Sequence, residues 1–222
     1  MAIRGFRELL ASRVAAAALS PLSSNVIQQL EIYYDVLQKW NRSINLTALP
    51  LDPLSDRALD RLFVEPLCAA HVLSIWHETQ VQQQDSEWID VGSGGGSPAI
   101  PLRLMRPHGT LLMVESRARK AAFLRELVRE LQLDRTTVEA VRFESLTAEL
   151  IPRQASLITT RAVRIDQEIG AAICRLLRSS GSLVVLTSET AQLPEPEGLQ
   201  LCRKASLGLF PHSQAFLFQH SR

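Results

Sequence analysis

Trp88-Ile89-Asp90-Val91-Gly92-Ser93-Gly94-Gly95-Gly96-Ser97-Pro98-Ala99-Ile100-Pro101-Leu102 decides the fold of this chain. Trp88, Ile89 and Val91 suit a short strand covered on both faces. Gly92, Gly94, Gly95 and Gly96 supply a backbone that can take positive φ and lie against a ligand with no Cβ in the way. Ser97 can cap the next helix, and Pro98 fits its first turn, where no N–H is needed. Exposed N–H groups and a positive dipole end then face the carboxyl edge of the strand, which is the geometry of a nucleotide site.

The residue types narrow the ligand. A dinucleotide fingerprint reads Gly-x-Gly-x-x-Gly/Ala. Here the sixth position is Ser97, and Asp90 stands two residues before the first glycine. A carboxylate there meets a pyrophosphate badly. It suits a ligand with an ammonium group, such as the methionine end of S-adenosylmethionine. The expected cofactor is therefore S-adenosylmethionine, with Asp90, Gly92, Gly94, Gly96 and Ser97 around it. A purely structural turn is the alternative reading of the loop taken alone.

Strand and helix signals alternate outward from this segment. Strands are expected at 87–91, 110–114, 137–141, 155–160 and 182–187, with Gly181 turning the chain into the last. Helices are expected at 98–106, 117–132 and 166–179, with a short polar helix after the third strand. Such alternation implies a parallel sheet with right-handed crossovers. Two further strand candidates, near 199–203 and 214–219, are placed to close the sheet as an antiparallel hairpin.

Residues 1–76 read as an N-terminal helical extension, and 77–222 as one compact core. Ile3, Phe6, Leu10, Val14 and Ala17 share a helix face over 3–19, ended by Ser20-Pro21. Asn25, with Gln28 three residues on, can cap a second helix whose stripe is Val26, Leu30, Tyr33, Leu37 and Trp40. That stripe reads as core. A third helical stretch runs from about Asp56 to Leu73, broken near Pro66, and the polar residues 77–87 read as a linker.

The chain has 222 residues, 46% hydrophobic and 21% charged, with a formal net charge of +1. That is the composition of a soluble globular protein, so any nucleic-acid contact needs a local patch. Cys68, Cys174 and Cys202 are widely spaced and indicate neither a disulfide framework nor a metal site. No apolar run reaches membrane-spanning length. A cytoplasmic protein with no membrane partner is expected.

In a doubly wound sheet the ligand lies beyond the carboxyl ends of the strands. Glu115 follows the second strand and can accept both ribose hydroxyl protons. Arg142-Phe143-Glu144 follows the third, where a ring and backbone groups can hold an adenine. Thr160-Arg161-Ala162 follows the fourth. Arg161 is the candidate catalytic residue, able to meet the methionine carboxylate or the RNA. Arg103, Arg106, Arg117, Arg119, Lys120, Arg125 and Arg129 concentrate positive charge beside the cleft, with Arg4, Arg7 and Arg13 able to extend it. Arg119, Lys120 and Arg125 are the candidate RNA-binding residues.

Together these residues resemble the bacterial 16S ribosomal RNA guanine-N7 methyltransferases, the RsmG or GidB family. The resemblance runs through Trp40-Asn41, Asn45-Leu46-Thr47, Asp90 to Gly94, Ile100-Pro101-Leu102, Glu115-Ser116, Arg119-Lys120, Phe123-Leu124-Arg125, Arg142-Phe143-Glu144 and Thr160-Arg161-Ala162. It implies a class I methyltransferase, Rossmann-like α/β fold with a mostly parallel seven-stranded sheet, helices on both faces and a helical extension. It implies S-adenosylmethionine as donor and a guanine of 16S ribosomal RNA or the small ribosomal subunit as acceptor; separately from it, no metal and a monomer are expected. Gly92, Ser97, Phe143, Glu144 and Arg161 match the family's cofactor contacts, and Glu115 its ribose-binding acid. The chain departs from the family at Leu62, where a histidine is usual, at Pro66, where a serine is usual, and at Ser97. It departs again at Thr187-Ser188, where Lys-Gly is usual, and in the terminal Phe218-Gln219-His220.

Absent motifs fit this chemistry. There is no Asp/Asn-Pro-Pro-aromatic motif for exocyclic amines and no Pro-Cys nucleophile. Guanine N7 carries a lone pair and no proton, so it needs no general base, and alignment supplies most of the gain. A methyltransferase-like fold that binds RNA or a nucleoside without turnover is the alternative reading.

Overall fold

The computed structural model describes residues 5–77, 86–147, 153–188, 196–208 and 212–221. Ile3, Arg4 and most of the polar segment 77–87 lie outside them. Seven strands form one sheet in the order β3-β2-β1-β4-β5-β7-β6. These are β1 Glu87–Val91, β2 Thr110–Val114, β3 Thr136–Glu139, β4 Ala155–Arg161, β5 Leu177–Ser188, β6 Leu199–Ser206 and β7 Ser213–His220. Strands β1 to β5 run parallel, while β7 is antiparallel to both β5 and β6. The expected parallel core and closing hairpin are both present.

Alternation along each strand builds two cores. Trp88, Leu111, Met113, Leu157, Val184 and Leu217 belong to one cluster. Ile89, Val91, Val114, Ile158, Val185 and Phe218 belong to the other. Successive side chains point to opposite faces, so strands apolar at every position need cover on both sides. Helices α5 Ala99–Met105 and α6 Ala118–Glu130 cover the first face, and α7 Gln167–Leu176 covers the second.

The extension also packs on the first face. It comprises α1 Phe6–Ala16, α2 Ser24–Asn41, α3 Asp56–Leu59 and α4 Glu65–His77. Phe6, Leu10 and Val14 of α1 are buried, as their shared face predicts. So are Leu30, Tyr33 and Leu37 of α2. The cap of α2 is Ser23, whose hydroxyl accepts from Val26 N–H. Asn25 instead lies one position inside the helix and bonds Gln29. No helix among the described residues is long and apolar enough to cross a membrane.

Two local departures from the expected pattern bear on the site. Helix α7 ends at Leu176, and Gly181 lies inside β5. The register steps from Ala155↔Leu177 to Leu157↔Ser182, so extra residues bulge from β5 where a turn is expected. Between α3 and α4 the chain takes one π-helical turn, Asp60–Val64. Glu65 N–H closes it on Asp60 O instead of on Arg61 O, and the next residue is Pro66. It has no N–H to give Leu62 O in an α register or Arg61 O in a π register. Both carbonyls are therefore left for partners from the core.

Candidate functional site

The strand order reverses between β1 and β4, and a crevice opens there at the carboxyl ends of the strands. A cavity of about 310 Å³ occupies it. Its lining includes Gly92 after β1, Ser116 after β2, Arg142, Phe143 and Glu144 after β3, and Val163 after β4. Of the site residues singled out by sequence, Gly92, Phe143 and Glu144 line this space, whereas Asp90, Gly94, Gly96, Ser97, Glu115 and Arg161 stand outside its lining.

The glycine loop is fixed by bonds on every side. Gly92 N–H and Ser93 N–H both donate to Val114 O, at 2.9 and 3.1 Å. Gly92, Gly94 and Gly96 have φ of +70°, +52° and +86°. At Gly92 the requirement is also steric, since a Cβ would stand 2.6 Å from Val163 Cγ2. Glycine is thus needed here for conformation and for close approach.

Asp90 is buried at the end of β1. Its Oδ1 accepts from Thr159 Oγ1 at 2.5 Å. Its Oδ2, equally buried, has no hydrogen-bond partner among the described residues, the Ser93 hydroxyl donating to the Asp90 backbone carbonyl at 3.1 Å. Burial lifts the carboxyl to a pKa of about 6, against the opposing help of Thr159, Ser93 and the Arg161 charge. An orphaned buried carboxylate oxygen is costly without a partner and fits a cationic group.

Glu115 bridges the loop and α6. Gly94 N–H donates to its Oε2 at 3.0 Å, and Arg117 N–H to its Oε1 at 2.8 Å. It therefore serves the loop and the helix start together, and each oxygen keeps a lone pair for a further donor. Phe143 is buried in a short 3₁₀ turn, Phe143–Ser145. The Glu144 carboxylate accepts from Arg142, while Arg175 donates to the Glu144 carbonyl.

Arg161 and Ser97 serve the π turn. Arg161 Nη1 donates to Arg61 O at 2.5 Å and its Nη2 to Ser97 O at 3.0 Å. Ser97 Oγ donates to Leu62 O at 2.8 Å. The two carbonyls that the π turn and Pro66 together leave without a donor are thus filled from the glycine loop and from β4. Ser97 does not cap α5, which has no side-chain cap. Burial lowers the Arg161 pKa to about 10, Arg61 adding to the effect and Glu65, Tyr33 and Asp90 opposing it. Below these lies a buried polar knot: Arg61 donates to Glu65 at 2.7 Å, and Ser213 Oγ donates to the other Glu65 oxygen at 2.6 Å.

The basic residues do not gather as one patch. Arg119 and Lys120 stand in the first turn of α6, at the cleft end of the sheet, with Arg119 exposed and Lys120 half-buried. Arg125 lies further along and donates to Val138 O at 3.0 Å. Arg103 is buried and donates to the carbonyls of His108, Gly109 and Asp134. Arg106 precedes β2, at the opposite end of the sheet from the loop. Arg13 is paired with buried Asp60, and Arg7 with Glu31.

Comparisons with known proteins agree with this arrangement. The family model GidB, rRNA small subunit methyltransferase G, matches residues 26–205. The chain is 33% identical over 160 residues to ribosomal RNA small subunit methyltransferase G of Paracoccus denitrificans, covering 72% of this chain and 75% of that one. To the protein of the same name in Syntrophotalea carbinolica it is 30% identical over 186 residues, covering 83% and 79%. Among solved structures, magnesium protoporphyrin IX methyltransferase from Synechocystis PCC 6803 with bound SAH aligns at a TM-score of 0.58. That alignment has 11% identity and covers 90% of this chain and all of the other, a likeness of fold.

Proposed function

The chain belongs to the rRNA small subunit methyltransferase G family, and from that premise we propose that it methylates N7 of a guanine in 16S ribosomal RNA, with S-adenosylmethionine as donor. The observation that carries the cofactor reading is the buried, unpartnered Asp90 Oδ2 beside the glycine loop. A dinucleotide's pyrophosphate is repelled by a carboxylate at that place, and an ammonium group satisfies it.

S-adenosylmethionine supplies, when bound, an electrophilic methyl group on a sulfonium. Asp90 takes the ammonium, and Glu115 takes the ribose hydroxyls with the lone pairs its two N–H donors leave. Phe143, with Val114 and Val141 in the same lining, supplies apolar walls for the adenine. Gly92, Gly94 and Gly96 let the backbone approach. Ser97, Glu144 and Arg161 shape the rim. Arg161 acts by holding the end of the loop against the extension, since two of its N–H groups are already committed there.

Guanine N7 has no proton to lose. The residues therefore need only orient the acceptor, exclude water and preorganise a pocket in which charge shifts off the donor. Duplex RNA hides N7 in a deep, narrow groove, so the target base is one splayed from a loop or presented by an assembled particle. Arg119, Lys120 and Arg125 are the proposed phosphate-binding residues.

The deciding experiment incubates the protein with labelled donor and small subunits from a methylation-deficient strain, then maps the modified base. Label at a guanine N7 supports the reading. Cofactor binding without transfer to any RNA leaves a non-catalytic binding protein in its place.

A further inference from the structure

The cofactor loop is gripped from both sides. From the core, Glu115 accepts the Gly94 N–H at 3.0 Å. From the extension, the hydroxyl of Tyr33 in α2 donates to Gly95 O at 2.7 Å, across 62 positions of sequence. Tyr33 is fully buried, and its ring packs against Phe63 with centroids 5.2 Å apart. Burial raises its pKa far above the ordinary tyrosine value, so at physiological pH it is a neutral donor.

The acceptor it meets is the informative part. Gly95 O belongs to a peptide unit between two glycines, the least restrained kind in a chain. Neighbouring Gly94 and Gly96 are both at positive φ. Within the loop that peptide is held at its other end only, where Gly96 N–H donates to Ser93 O at 2.7 Å. The extension supplies the second anchor, on the carbonyl side, and packs close as well, since Leu37 and Leu46 O lie within 3.6 Å of where a Gly95 Cβ would be. We infer that Tyr33 is a positioning residue for the cofactor: by holding the Gly95 carbonyl toward the extension, it fixes the one loop conformation that the cleft uses. The inference rests on reading this loop as the S-adenosylmethionine site. It makes the helical extension part of that site, although no residue of it lines the 310 Å³ cavity.

The test is Tyr33→Phe, which keeps the ring and removes the donor. S-adenosylhomocysteine affinity by calorimetry is expected to fall roughly five- to fiftyfold, with kcat at saturating cofactor within about twofold of wild type. Hydrogen exchange should quicken at Gly95 and Gly96 while α2 keeps its protection. Phe63→Leu is the control, because it loosens the same packing and leaves the hydroxyl bond. It should lower the melting temperature without the affinity loss. Wild-type protein that fails to bind S-adenosylhomocysteine would sink the cofactor reading itself. If wild type binds and Tyr33→Phe binds equally well, the positioning role is overturned. Equal affinity losses in both variants, or loss of the folded state in Tyr33→Phe at room temperature, would mark Tyr33 as a stability element and overturn it too.

Discussion

Thr159 Oγ1 donates to Asp90 Oδ1 at 2.5 Å across the β1–β4 pairing, while Asp90 Oδ2 has no partner among the described residues. Trp88 Nε1 completes the chain by donating to Thr159 Oγ1 at 2.8 Å. One oxygen of the carboxylate is thus held by the fold and the other is kept for something else. A half-satisfied buried carboxylate weakens a core unless a ligand completes it.

The Asp90 carboxyl therefore gives stability and binding opposite pH dependences. Its pKa is raised from 3.8 to about 6 by burial. The folded state then holds a proton that the unfolded chain has released. The contribution to apo stability is full below the ordinary carboxyl pKa and is lost as pH rises through about 6. Binding of an ammonium ligand needs the ionised form, so S-adenosylhomocysteine affinity should rise over the same interval. Asp90→Asn should flatten both profiles. Calorimetric titrations from about pH 5 to 8 give the answer, and a flat wild-type affinity profile would remove Asp90 from the ammonium role.

Glu115→Gln should cost twice over. An amide offers one acceptor oxygen where the carboxylate offers two, so the N–H of either Gly94 or Arg117 faces an NH₂ group. The ribose also loses a charge-assisted acceptor. Cofactor affinity should fall by about 1.5–3 kcal/mol and apo stability by about 1 kcal/mol. Unchanged affinity beside a lowered melting temperature would confine Glu115 to starting α6.

Much of this architecture is legible in the chain. The runs around Trp88–Val91 and Leu111–Val114, each ended by a glycine or an acid, specify buried parallel strands and place the cleft. What escapes depends on contacts between distant segments. Tyr33 falls in a regular apolar stripe, and spacing alone cannot show that its hydroxyl reaches Gly95. Pro66 announces a break, yet the π turn and its fillers, Arg161 and Ser97, follow only once β4 and the loop are brought against it. Arg103 illustrates the converse. It reads as cleft charge, although its neighbours Ile100, Leu102 and Leu104 place it in an apolar run, and it is spent on the carbonyls of Arg106, His108, Gly109 and Asp134.

Arg161→Lys tests the bridge between loop and extension. A planar guanidinium spans Arg61 O and Ser97 O together, and an ammonium is a compact point donor that reaches one of them. The abandoned carbonyl lies in a part-buried site, so stability should drop by about 1–3 kcal/mol. Methyl transfer should fall even at saturating RNA, because the rim of the cofactor site shifts. Thermal unfolding and single-turnover transfer measure the two effects. Full activity in the lysine variant would reduce Arg161 to one dispensable tether.

The RNA surface is tested by separating residues that sequence groups together. Arg119 and Lys120 stand at the cleft end of α6, while Arg125 is turned to Val138 O beside β3. Cations that meet phosphates position a substrate without reading its sequence. Arg119→Glu with Lys120→Glu should therefore suppress methylation of small subunits at moderate salt and spare S-adenosylhomocysteine binding. Removing each such cation should flatten the salt dependence of RNA binding by up to about one unit of slope. Arg125→Glu alone should do less, because its guanidinium is already engaged at the sheet edge. If the double reversal methylates subunits at the wild-type rate, this end of α6 is a solvated helix face. The phosphates must then be met elsewhere; Arg13 is committed to buried Asp60, whereas Arg7 shares only an exposed ion pair with Glu31 and stays available.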